Sequence, residues 1–121
     1  MSLQNVFKFA AVIFFINGLG SLLMTETFME AASFEMSPSL LTFGQFVGVT
    51  FLGLGLIYWR TADLAGDALP ALGQTFGIVH LMWVAIIGYH VAIGAAAGPT
   101  AYVNLAITAL VGIAFFVMSK K

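Results

Sequence analysis

His80 is the side chain in this sequence best placed to do chemistry. It is one of two histidines and lies deep in an apolar run, about 12 Å from the run's start at the helical rise per residue. An ionisable group at that depth marks a functional site by default. A neutral imidazole there can donate a hydrogen bond to Asn17 or Thr50, ligate a metal, or pass a proton. The plainer alternative is a histidine that only packs and hydrogen-bonds. His90 follows ten residues later, about 80° around and about 15 Å along a helix. The two therefore cannot share one metal ion within a chain, and His90 suits an interfacial polar position.

Counting depth along each apolar run separates the remaining polar side chains into layers. Asn17, Thr50, His80 and Thr108 fall near the middle. Thr25, Gln45, His90 and Asn104 fall toward one end, and Gln74 and Thr75 toward the other. The candidates for ligand binding or proton relay are thus His80, Asn17, Thr50, Thr108, His90, Gln45 and Asn104. An axial imidazole on a membrane helix is a known way to hold haem or chlorophyll. His80 or His90 offers that as a secondary reading, with Met24 or a second copy of the chain as the other ligand. No cofactor or metal is otherwise expected. No nucleophile, carboxylate pair or phosphate loop is evident, so no catalytic residue is assigned and an enzyme is not expected.

The elements that must position these groups follow from composition. Hydrophobic residues make up 61% of the 121 and charged residues 7%, with a mean hydropathy of +1.06. A soluble domain is about 45–50% apolar and about 25% charged, and so small a chain has too little interior to hide the excess from water. A net charge of −1 gives no field for nucleic acid. The absence of cysteine excludes disulfides and thiolate metal sites.

Four apolar runs approach the roughly 20 residues that span a hydrocarbon core. They are placed at about 6–25, 40–59, 71–93 and 101–118 in a single transmembrane domain. In lipid each must close its own backbone hydrogen bonds, which makes each a helix despite its β-branched and aromatic content. The first run resembles a signal peptide only superficially. It is long for a signal core, and Glu30 precedes the nearest small pair, Ala31-Ala32, so a retained span is expected. Residues 26–37 carry Phe28, Met29, Ala32 and Met36 at near-helical spacing, which allows a short surface helix. Pro70 suits a first helical turn, and Gly98-Pro99 ends one helix and starts the next. Short links predict successive helices as antiparallel neighbours, an up-down-up-down all-α bundle.

Lys8, Arg60, Lys120 and Lys121 are the four basic residues. Four spans put all of them on one side, with three of the five acids opposite. The positive-inside rule then makes both termini cytoplasmic, in a bacterial inner membrane. Tyr58 and Trp59 are expected at the inner interface and Tyr102 at the outer one.

Lipid supplies no hydrophobic drive between helices, so small residues and interhelical hydrogen bonds must supply association. Gly44 and Gly48 form such a face, as do Gly73 and Gly77, extended by Gly88. Asn104, Thr108 and Gly112 share a stripe on the last span, and Asn17 and Ser21 share one on the first, with Gly20 beside them. These stripes serve either the bundle interior or a homo-oligomer or larger complex. The functional expectation is an accessory or structural membrane subunit, or a bundle that binds partners or lipids. The alternative is a small transporter or channel with its polar site around Asn17 and His80. No span holds an acidic residue at its centre to couple protons.

Overall fold

A computed structural model of the protein describes residues 2–120. Lys121, one of the basic residues used above for orientation, lies outside the described residues, as does Met1. Five α-helices follow in order: α1 (Leu3–Leu23), α2 (Thr25–Glu30), α3 (Pro38–Leu64), α4 (Leu69–Ala92) and α5 (Pro99–Met118). A single 3-10 turn, Gly66–Ala68, links α3 to α4. The fold is all-α. Helices α1, α3, α4 and α5 are each long and apolar enough to cross a membrane, which points to a multi-pass protein in a lipid bilayer.

Local chemistry starts each helix. Ser2 caps α1 by accepting from the Asn5 amide, and Ser37 caps α3 by accepting from Leu40 at 3.1 Å. Pro38, Pro70 and Pro99 each occupy a first turn, where a missing N–H costs nothing. Helix α3 continues past Trp59, carrying Arg60 and Asp63 on its last turns. There Lys8 on α1 reaches Asp63 at 2.9 Å and sits 4.8 Å over the Trp59 ring. Gln4 also donates to the Ala62 carbonyl at 3.1 Å.

The spans pack as two antiparallel pairs, α1 with α3 and α4 with α5. In the first pair the backbones touch. A Cβ on Gly48 would stand 2.7 Å from the Leu22 nitrogen and 2.9 Å from the Gly18 oxygen. Ser21 lies at the same crossing and donates to the Gly44 carbonyl at 2.6 Å. In the second pair Gly77 receives the Phe116 ring, Gly112 receives the Cβ of His80, and Gly73 lies against Ser119. Gly88 takes no part, since nothing lies within 4 Å of where its Cβ would be. The pairs meet chiefly through α1 against α4 and α5. Helices α3 and α4, although consecutive, scarcely approach each other. The neighbour relation expected from their short link is therefore not met. Their small residues are spent on α1 and α5, which leaves Phe51 and Trp83 between them, ring centroids 5.9 Å apart.

The end that carries both termini is close-packed. Phe7, Tyr58, Phe76 and Phe115 meet there mostly edge to face, with centroids 4.4–6.2 Å apart, a favoured aromatic geometry. Tyr58 is 1% exposed and belongs to this core, not to an interface as its ring chemistry suggested. It shares the α3 face of Gly44, Gly48, Gly55 and Ala62, and that face turns to α1. At the opposite end the connections clasp each other. The Ala97 amide donates to the Ala32 carbonyl at 3.0 Å. Gly98 adopts φ +86° beside the Ala31 oxygen, a conformation and a closeness that exclude a side chain.

Candidate functional site

The clasped half of the bundle holds a partly open pocket. A cavity of about 380 Å³ lies between the two helix pairs, within the range of small-molecule sites. His80 stands at its floor, where the aromatic core ends. The face of α4 that carries Gly73, Gly77 and His80 is the buried one. Gly112 of α5 gives His80 room, because a Cβ at that position would come within 3.1 Å of the histidine's own Cβ. Phe115, Tyr58 and Phe14 surround the imidazole, with centroids at 5.3, 5.8 and 6.1 Å.

His80 is 5% exposed, and neither ring nitrogen has a hydrogen-bond partner among the described residues. The backbone of Thr108 lies beside the ring but short of hydrogen-bond geometry. The Tyr58 hydroxyl is likewise buried and unpaired. Buried polar groups normally find partners, and each that does not needs an explanation.

Above this floor the walls carry polar groups from three spans. Asn17 comes from α1, His90 from α4, and Asn104 and Thr108 from α5. Asn17 does not pair with His80. Its amide nitrogen donates to the Ile13 carbonyl of its own helix at 3.1 Å. Phe14, Phe51 and Trp83 form an aromatic wall, and Phe28, Met29, Phe34 and Ala96 close the clasped end. Among the described residues, no Asp, Glu, Lys or Arg lines the cavity.

Five of the seven candidates read from the sequence therefore come together here: His80, Asn17, His90, Asn104 and Thr108. Thr50 and Gln45 do not. Thr50 faces outward and donates to the Phe46 carbonyl at 3.0 Å. It sits two residues beyond Gly48, about 200° around the helix, so turning the glycine face to α1 turns Thr50 away. Gln45 is also exposed, about 100° around the helix from Gly44. Sequence reasoning missed Phe14, Phe51 and Trp83, which have no mark to separate them from other apolar residues. Tyr58 had one, three residues after Gly55 on the glycine face.

Chemically the site can offer hydrogen bonds to an uncharged group and flat apolar contact around it. Among the described residues, no three His, Cys, Asp or Glu side chains converge as a metal site. Fold and cavity define a class, a small helical bundle with four candidate spans and a partly open, ligand-sized cavity. No protein-family model, curated protein or solved structure matches the chain.

Proposed function

We propose that the protein is an accessory bundle of a bacterial inner membrane, with both termini cytoplasmic, that binds a lipid-soluble small molecule in the cavity between its helix pairs. The observation that carries this reading is the cavity itself, of ligand size and walled by Phe14, Phe51 and Trp83. A transport path would also need a cavity reaching Asn17 and His80. This cavity is walled mainly by apolar and aromatic side chains and contains no carboxylate, which favours holding a ligand over conducting water or ions. The orientation rests on Lys8, Arg60 and Lys120 lying at the end opposite the clasp.

The test is mass spectrometry of small molecules that co-purify in mild detergent with the native chain and with an Ile87→Trp variant. Ile87 lines the cavity beside α3, so the larger ring plugs it. The expected result is a near-stoichiometric lipophilic molecule that the variant loses. Identical profiles from the two proteins would refute the reading.

A further inference from the structure

We propose that the cavity opens sideways into the hydrocarbon layer, through a mouth between α3 and α4 where Phe51 and Trp83 stand, and that a chain of a bilayer lipid enters there. This rests on the binding function proposed above and adds the route to its site. Three observations lead to it. First, the other sides are shut. The α1–α3 and α4–α5 seams are packed, and α1 also lies against α4 and α5. Beneath the floor is the aromatic core of Phe7, Tyr58 and Phe115. At the clasped end Met29, Ala32, Ala96 and Ala101 are all buried. There the Ala97–Ala32 backbone hydrogen bond of 3.0 Å ties the two connections together, and opening that end would break it.

Second, the exposed part of the wall lies on the remaining side. Among the described lining residues only Ile86, on α4, and Phe34, in the connection that leads into α3, are exposed, at 48% and 41%. Helices α3 and α4 scarcely approach each other. Side chains bridge the gap instead, with the rings of half-buried Phe51 and Trp83 5.9 Å apart. Rotation of such side chains widens the gap without breaking a backbone hydrogen bond, and is a faster motion than local unfolding of the clasp.

Third, the mouth lies at the depth of lipid chains. Phe51 is about 20 Å from the start of α3, a 27-residue helix about 40 Å long. Trp83 is about 21 Å along α4, a 24-residue helix of about 36 Å. Both stand near mid-span, away from headgroups and water in a hydrocarbon core about 30 Å thick. A hydrocarbon chain is what meets the mouth at that depth. Among the described residues, no charged side chain in the wall offers a counter-ion to a headgroup, whose burial would be costly.

The test needs one indole behind the mouth. The chain has two tryptophans, so Trp59→Phe and Trp83→Phe remove both, and Phe14→Trp places one on the α1 wall of the cavity. Ile107→Trp, on the α5 wall, serves if that protein does not fold. The full-length variant would be reconstituted in vesicles of phosphatidylcholine that carries bromine midway down one chain, with iodide as the quencher in water. The Trp59→Phe protein, with Trp83 in the mouth, is the reference. Bromolipid should quench the new indole to within about twofold of Trp83, and iodide should not quench it. Adding Val47→Phe and Ile86→Phe, which narrow the mouth from α3 and α4, should lower the bromolipid quenching at least twofold. Quenching by iodide alone would place the entrance at the clasp and overturn the proposal. Quenching by neither, or bromolipid quenching unmoved by the two phenylalanines, would overturn it as well. This assay requires no co-purifying molecule, so the two readings fail separately. A molecule that co-purifies beside an unquenched indole overturns the mouth alone. Mouth-dependent quenching with nothing co-purifying upholds the mouth and removes only the stored ligand.

Discussion

Replacing Gly48 by alanine should unlatch α1 from α3. The added Cβ would lie 2.7 Å from the Leu22 nitrogen and 2.9 Å from the Gly18 oxygen, whereas non-bonded carbon contacts rest at about 3.5–4.0 Å. Both atoms are backbone, so no rotamer relieves the clash and the helices must part by roughly 1 Å. A gap of that size forfeits about a quarter to a half of each dispersion contact along the seam, and each contact is worth about 0.1–0.2 kcal/mol. Overpacking of this kind typically costs about 1–3 kcal/mol. The same movement stretches the Ser21–Gly44 hydrogen bond, now 2.6 Å, toward the limit of bonding. That removes about 0.6 kcal/mol and at most about 1.7 kcal/mol. The expected total is about 2–4 kcal/mol. Gly53 is the control, since nothing lies within 4 Å of its Cβ position on the same helix. Gly53→Ala should change stability by less than about 1 kcal/mol, with helix propensity favouring a gain. Reversible unfolding in mixed micelles of rising SDS fraction, followed by far-UV circular dichroism, measures both. Equal unfolding midpoints for Gly48→Ala and Gly53→Ala would refute the backbone-contact argument.

Other expectations are as direct. Gly98→Ala places a side chain at φ +86° and its Cβ 2.6 Å from the Ala31 oxygen; it should cost about 1–3 kcal/mol and speed hydrogen exchange at the Ala97 amide. Asp63→Asn should cost less than about 1 kcal/mol, because the Lys8–Asp63 pair is 34% and 41% exposed. Lys8→Met in a Trp83→Phe background should instead shift Trp59 emission, since Lys8 lies over that ring; an unmoved spectrum would count against the cation–π contact. The chain has no cysteine, so single-cysteine labelling is clean. In intact cells a membrane-impermeant maleimide should label Glu30→Cys and spare Asp67→Cys, and the reverse pattern would invert the proposed orientation.

The number and kind of elements were legible because lipid leaves so little choice. A 20-residue apolar run in a bilayer can close its hydrogen bonds only as a helix. The packing faces were legible in part. Gly44, Gly48, Gly73 and Gly77 announced themselves by spacing, but the spacing carries no partner. Gly48 turns out to need Gly18, a residue that belongs to no repeated stripe, and Gly88 meets open space. Link length misled about adjacency because side-chain size overrode it: with the glycines of α3 facing α1, bulky Phe51 and Trp83 hold α3 and α4 apart. For the site, depth along a helix placed His80, Asn17 and Thr108 well. Depth says nothing of azimuth, and azimuth is what removed Thr50. The aromatic wall could not be read at all, since a phenylalanine facing lipid and one facing a cavity are the same letter.

The two halves of the bundle also explain each other. Near the termini, Phe7, Phe76, Phe115 and Tyr58 fill the space between the pairs. In the other half Asn17, Ala96, Ala101, Asn104 and Thr108 leave a partly open pocket of about 380 Å³ among Phe14, Phe51, Trp83, Phe28 and Met29. Water is a poor filler, because each molecule needs about two to four polar partners and the wall is mainly apolar. A lipid-soluble occupant would need only the apolar contact that Phe14, Phe51 and Trp83 supply.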